Sequence, residues 1–275
     1  AQQAATLDTV SVTAARKTEN IQDVPVSIST VSGEKLDALV SGGTDIRFLS
    51  GRVPSLNIES SFGRAFPRFY IRGYGNTDFR MNTSQPVSLV YDDIVQENPI
   101  LKGFPLFDIQ QVEVLRGPQG SLFGRNTPAG VVKFDSVRPS QETEGYAKVG
   151  YGSDNLWNVE GAVGGALSER WSARASMLYQ RRDDWVTNTG TGPNDGLEGY
   201  DESAARVQFL YEGEDFQALF GAHARRLNGT ARLFRGNIFK PGSNDFVEGF
   251  DENSIAIDGQ NHSELESQGA NARLV

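Results

Sequence analysis

The second half of this chain alternates apolar and polar side chains with a period of two. Trp171, Ala173, Ala175, Met177 and Tyr179 fall on one face of an extended strand; Ser172, Arg174, Ser176, Gln180 and Arg182 fall on the other. Ala205, Val207, Phe209 and Tyr211 alternate likewise with Arg206, Gln208 and Glu212, and Phe216, Ala218, Phe220, Ala222 and Ala224 with Gln217, Gly221, His223 and Arg225. Successive strand side chains point to opposite faces. Such a region folds only where one side of a sheet meets an apolar medium and the other a polar one. An antiparallel sheet with one wet face meets that condition, and so does a barrel with lipid outside and polar filling inside. Connection lengths favour the barrel. The turns near residues 152–155, 168–170 and 212–215 are short, whereas the connections at 183–201 and 227–265 are long. Spanning barrels combine short turns at one end with longer loops at the other.

No apolar run approaches the roughly 18 residues that a membrane-crossing helix needs, which leaves crossing by strands open. A net charge of −9 argues against nucleic acid as a partner, because phosphates demand a basic surface. The chain has no cysteine and two histidines, His223 and His262. Zinc–thiolate sites, disulfides and thiol catalysis are excluded, and a histidine metal cluster has too few ligands. No nucleophile–base pair or paired-acid constellation stands out, so neither an enzyme nor a bound cofactor or metal is expected.

Between the two halves lies the most informative stretch, Val112 to Val132. It opens as a strand with Val112, Val114 and Leu115. Gly117 and Pro118 break that strand, and Gly120, Gly124 and Gly130 punctuate the next residues before Val131 to Phe134 resumes as a second strand. A phosphate loop is a weak alternative: it requires a Lys and then Ser or Thr after the last glycine, and here Arg125 and Asn126 come after Gly124.

Val112 to Pro118, Ser121 to Gly124 and Gly130 to Val132 together resemble the end of the plug domain in TonB-dependent outer-membrane receptors. Pro128-Ala129-Gly130 stands where many members have Ala-Gly-Gly, a change of one turn residue. Other stretches fit the same resemblance. Val24 to Val31 reads as a strand and Ser32 to Val40 as a helix ended by Gly42 and Gly43. Thr44 to Leu49 reads as a short helix, and Leu56 to Ile58 as extended. Phe69 to Tyr74, with Ile71-Arg72-Gly73, is a further strand, and Val87 to Ile94 carries a turn at Asp92-Asp93.

The resemblance covers about residues 8–138 and implies an α+β plug domain followed by antiparallel strands of a transmembrane β-barrel. The expected divisions are a tail at 1–20, the plug at 21–138, and about six barrel strands over 139–275. Six strands cannot enclose a plug of that size, since plugged barrels use about 22. Open edges in hydrocarbon would also leave backbone groups unpaired. The barrel is therefore incomplete in this chain, which is expected to be a fragment of a larger protein.

Near the start, Asp8 to Ala14 alternates in the β manner. An exposed extended segment can add as a strand to a partner's sheet edge. It resembles the TonB box, which implies that Thr9, Val10, Ser11, Val12 and Thr13 bind TonB. Three loops are expected to face outward and meet substrate through Phe62, Arg64 and Phe66; Asn76, Asp78, Phe79 and Arg80; and Gln96, Glu97 and Asn98. Arg72 and Arg116 each close a strand just before a glycine, and the resemblance implies that they seat the plug against barrel acids.

The function so implied is TonB-dependent active import of a scarce nutrient, foremost an iron–siderophore, across the bacterial outer membrane. Import of an oligosaccharide or vitamin B12 is the alternative by the same mechanism. A passive surface receptor or adhesin on the same scaffold, or a soluble β-rich binding module, is the alternative from another class. The implied partners are TonB with its inner-membrane energising complex, a small-molecule substrate such as an iron chelate, and outer-membrane lipid.

Overall fold

Two patterns of burial divide the molecule: the central strands before residue 137, such as those at 87–91 and 130–136, are covered on both faces, whereas the long strands after 143 alternate between covered and exposed residues. The computed structural model describes residues 10–13, 18–40, 45–77, 80, 83–230 and 235–275. In chain order, β1 (Ser11–Val12) pairs antiparallel with β2 (Glu19–Asn20). β3 (Ser27–Ser32) leads into helix α1 (Gly33–Val40). A 3-10 turn comes next at Ile46–Leu49, where the Asp45 carboxylate accepts from the Arg47 backbone N–H. Then come β4 (Leu56–Glu59), β5 (Arg68–Ile71) and β6 (Tyr74–Gly75), a small antiparallel sheet. The run Phe69 to Tyr74, expected as one strand, is split, because Arg72 adopts φ +54° and turns the chain there.

The central plug sheet adds β7 (Val87–Tyr91), β8 (Ile94–Gln96), β9 (Ile109–Arg116) and β10 (Gly130–Ser136). Its order is β3-β9-β10-β7-β8, antiparallel except for the β10–β7 pair. One face packs Val112, Val114, Val132 and Phe134 against Phe48, Leu49, Ile58 and Ile71. The other packs Leu115, Val131 and Val90 against Phe123. Burying each such side chain stabilises the fold by about 1.5–3 kcal/mol. Between β9 and β10 the glycine-punctuated stretch is a closed loop containing a one-turn helix, α2 (Gly120–Phe123), where the sequence suggested only a turn. Gly117 N–H donates to the Ala129 carbonyl and Gln119 N–H to the Thr127 carbonyl.

The rest of the wall is a six-stranded antiparallel sheet. It comprises β11 (Glu144–Gly152), β12 (Leu156–Ala166), β13 (Trp171–Arg182), β16 (Tyr200–Glu212), β17 (Gln217–Thr230) and β19 (His262–Leu274). The long connections pack together through β14 (Val186–Asn188), β15 (Gly196–Leu197) and β18 (Ser254–Ile255). Sequence periodicity did not show this small sheet, because strands of two or three residues have no pattern to read. The outward face is apolar from the short turns up to about Tyr179, beyond which Arg181, Asp201, Arg226, Glu264 and Glu266 are exposed. Aromatic groups mark its two ends: Trp171, Tyr211 and Phe216 near the short turns, and Tyr151 with Trp157 near the other rim. From Trp171 to Tyr179, at about 3.3 Å per residue and a tilt of about 40°, the band is roughly 20 Å tall. That is close to the ~25 Å band of spanning barrels.

Plug and wall meet along a seam of buried charge. Asp108 of the plug accepts two hydrogen bonds from Arg174, at 2.8 and 2.6 Å, and lies 3.7 Å from Arg206. Arg206 also donates to the Phe107 and Asp108 carbonyls and to the Tyr91 hydroxyl. Farther along the wall, Glu202 accepts from both Arg64 of the plug at 2.5 Å and Arg225 of the wall at 2.8 Å. Arg225 also donates to the Arg64 carbonyl.

Removing one partner of a buried pair strands the other charge. Glu202→Gln leaves two arginines without their carboxylate and should lower stability by about 3–5 kcal/mol. Near-UV circular dichroism melting of the folded protein in detergent checks this; an unchanged midpoint would contradict it. In the β9–β10 loop, Gly130 has φ +151° and a Cβ there would lie 2.2 Å from the Leu115 carbonyl oxygen. Gly130→Ala should cost about 1–3 kcal/mol. Gly120, whose nearest such contact is 4.0 Å away, should accept Ala with no loss, and the same melts compare the two.

Candidate functional site

Two buried charges interrupt the smaller apolar face of the plug sheet. Glu113 and Lys133 are neighbours in the β9–β10 register and are 0% and 1% exposed. Charges so far from water persist only when paired, and the N-terminal segment supplies part of the pairing. The Thr13 N–H donates to Glu113 Oε1 at 2.6 Å. Its hydroxyl donates to Asp135 at 3.1 Å and accepts from Lys133 Nζ at 2.7 Å. Gln111 adds a bond from its Nε2 to the Ser11 carbonyl. Val12 is buried, while Val10 is exposed and its carbonyl accepts from Ile21 N–H. Of the segment expected to bind TonB, Val10 to Thr13 is thus docked on the plug; Thr9 lies outside the described residues.

Burial pushes the Glu113 carboxyl above its ordinary value, against the Thr13 N–H and the Lys133 ammonium, which pull it down. Its Oε2 has no hydrogen-bond partner among the described residues. Lys133 also ion-pairs with Asp135 and stands 4.0 Å from Asp93, which in turn pairs with Arg273 of the wall. Arg273 is one residue from the end of β19, at the short-turn rim. The docked segment, the plug sheet and the wall share one polar cluster.

At the opposite rim a cavity of about 420 Å³ opens between plug and wall. It is bounded by plug residues from Asp45 to Arg64 and by the ends of β12, β13, β16, β17 and β19 nearest the long connections. Asp45 holds Arg47 through Nε at 2.8 Å and a second nitrogen at 2.7 Å. Burial would raise the Asp45 carboxyl, but Arg64 and Arg47 outweigh that and hold it below its ordinary range. Arg64 closes the back wall, stacked 4.1 Å from the Tyr200 ring centroid. Burial would lower its guanidinium, but Glu202 and Asp45 reverse the shift and raise it.

The residues expected to meet substrate are scattered by the fold. Arg64 is not an open loop cation: it is buried, because its charge is held by Glu202, and it seats the plug. Phe66 and Asn76 are also buried, at 4% and 2% exposure. Phe62 is exposed and packs edge-on to Phe66 with centroids 5.6 Å apart. Gln96 is half-buried; Glu97 accepts from Asn126 Nδ2 at 2.6 Å, and Asn98 accepts from Ile100 N–H. Arg80 is exposed, while Asp78 and Phe79 lie outside the described residues. Of these candidates Arg64 alone borders the cavity.

Arg116 and Arg72 do not reach the wall among the described residues. Arg116 donates to the hydroxyls of Ser27 and Ser29 and to the Pro54 carbonyl, all within the plug. Arg72 sits exposed in the β5–β6 turn. The plug is seated chiefly by wall arginines, Arg174, Arg206, Arg225 and Arg273, none of which sequence reasoning singled out. Alternation placed the first three on the polar face of their strands, but nothing in a period of two tells which polar residue will face a plug acid.

Residues 20–131 match the family model of the TonB-dependent Receptor Plug Domain. The vitamin B12 transporter BtuB of Vibrio vulnificus (strain YJ016) is 28% identical over 224 residues, which cover 78% of this chain and 34% of that protein. The pesticin receptor of Yersinia enterocolitica (serotype O:8, biotype 1B) is 28% identical over 209 residues, covering 75% and 30%. The chain therefore spans about a third of the length of these curated relatives. Among solved structures, the ferric yersiniabactin uptake receptor FyuA from Yersinia pestis matches with a TM-score of 0.75 at 24% identity, over 90% of this chain and 38% of that one. A complex of FpvAI with pyocin S2 matches with a TM-score of 0.71 at 19% identity, over 96% and 34%. At those identities the likeness is one of fold, and the fold and the plug match agree. Residues 20–131 are thus a plug domain of the TonB-dependent receptors, and the six antiparallel strands that come after it have the fold of these bacterial outer-membrane receptors' barrel wall.

Proposed function

We propose that the receptor to which this chain belongs imports a scarce nutrient, foremost an iron–siderophore, across the outer membrane with energy delivered by TonB. The observation that carries the reading is the placement of two features at opposite rims of one plug. The segment Val10 to Thr13 is docked by Thr13 near the short turns, and a cavity opens among the long connections. A plugged wall blocks diffusion, so transport needs work done on the plug, and an extended segment offers a partner a strand to pair with. The relatives support the substrate class: they include a vitamin B12 transporter and a ferric yersiniabactin uptake receptor. Vitamin B12 is the second reading because two species' B12 transporters stand among the relatives. On this reading Thr9 to Thr13 bind TonB, substrate enters at the cavity rim, and the protein performs no chemistry on its cargo.

Uptake of radiolabelled iron–siderophores and of cobalamin by cells carrying the full-length receptor tests the proposal. Val12→Pro removes a backbone donor from the segment and should abolish uptake while leaving surface expression intact. Uptake that persists in that variant, or in cells lacking TonB, would refute the mechanism. The dock itself is testable without a substrate. The chain has no native cysteine, so Val12→Cys, at a position 1% exposed, reports release of the segment by its rate of thiol modification. Thr13→Val removes the hydroxyl bridging Lys133 and Asp135, a charged hydrogen bond of about 1.5–3 kcal/mol. Modification should accelerate about tenfold or more; an unchanged rate would show that the hydroxyl does not hold the segment.

A further inference from the structure

The cavity among the long connections has an uneven charge. Four arginines line it, Arg47, Arg52, Arg64 and Arg182, against two acids, Asp45 and Glu198. Arg47 is held by Asp45, and Arg64 is committed to Glu202 behind the wall. Arg52 and Arg182 are different, since neither is paired with a carboxylate among the described residues. Arg52 donates to the Phe48 carbonyl at 2.7 Å. Arg182 donates to the Glu198 carbonyl at 2.6 Å and lies 5.3 Å from the Tyr200 ring centroid. Its Nε is buried and has no hydrogen-bond partner among the described residues.

A buried donor without an acceptor costs about 1–3 kcal/mol, which an anion drawing Arg182 toward the cavity would offset. Guanidinium groups present a planar fork of donors that matches carboxylate oxygens two at a time. One fork comes from the plug and the other from the wall. The volume falls within the ~300–1,000 Å³ of small-molecule sites. We infer that this cavity binds an anionic ligand through its carboxylate groups, held between Arg52 of the plug and Arg182 of the wall. The inference rests on the import reading above only in naming that ligand as cargo: a metal chelate with free or coordinating carboxylate arms, rather than a neutral or cationic one. The affinity for the anion itself is independent of TonB.

The test uses the full-length receptor in detergent, with citrate and ferric citrate as probes and the neutral hydroxamate chelate ferrichrome as comparator. Isothermal titration should show citrate or its iron complex binding with a dissociation constant at or below about 1 mM, ferrichrome binding at least tenfold more weakly, and affinity for citrate falling at least tenfold in Arg52→Gln/Arg182→Gln. Arg182→Lys, which keeps the charge and loses the fork, should fall between the two and controls for folding. No citrate-dependent heat at about 10 mM, equal binding of the neutral chelate, or an unchanged affinity in the double variant would overturn the inference. Citrate binding without TonB-dependent uptake of ferric citrate would leave the anion site standing and count against import as its purpose.

Discussion

The charges buried between plug and wall constrain everything else in this molecule. A wall that is apolar outside must be polar inside, since its strands alternate, and the plug has to offer partners to whatever the inner face presents. Asp108 does so for Arg174 and Arg206, and the wall's own Glu202 does so for Arg64 and Arg225. Each ion removed from water costs several kcal/mol unless its partner is well placed. Ser176 and Arg206 are paired in the β13–β16 register, and Arg174 lies two residues away on the same inner face. A slip of one residue would turn these arginines toward lipid. Strand register and plug position are thus fixed by the same contacts.

Sharing is a recurring property of these contacts. Asp108 serves two arginines, Glu202 serves two, and Lys133 stands between Asp135 and Asp93. A group with two candidate partners can exchange one for another at less cost than it can be left bare. Communication between distant sites requires an element with two discrete arrangements. In a sheet as closely packed as β3-β9-β10-β7-β8, such an element is more readily an exchangeable ion pair than a deformable core.

The two ends of the plug differ in how they are held. Near the short turns Thr13 adds hydrogen bonds to both a buried Glu and a buried Lys, so the N-terminal segment is attached through polar contacts plus the burial of Val12. Near the long connections the plug is pinned by Arg64 while Arg52 faces an open cavity. The first end is held by few bonds, which suits a segment that a partner must take up. At the second, two guanidinium groups have no carboxylate partner among the described residues, in keeping with the anion site inferred above.

Periodicity and turn chemistry determined the classes of structure. The two-residue alternation after Glu144 fixed which side chains face outward, because strand geometry leaves no other choice. The break at Gly117-Pro118 could be read as the end of a strand from backbone sterics alone, whereas only the fold separates Gly130, which must be glycine, from Gly120, which need not be. The motif from Val112 to Val132 carried the family. The tertiary structure decided which residues do what. Arg64 reads as a loop cation in sequence and becomes a buried seating residue, because Glu202, 138 positions away, lies opposite it. Glu113 and Lys133 carry no mark in the sequence that sets them apart and become a docking site, because Thr13 folds back over both. Arg52 and Arg182 are 130 residues apart and share a cavity only when the plug sits against the wall. Local geometry is written in neighbouring residues, whereas the pairing of a buried charge depends on what the rest of the chain brings within about 4 Å of it.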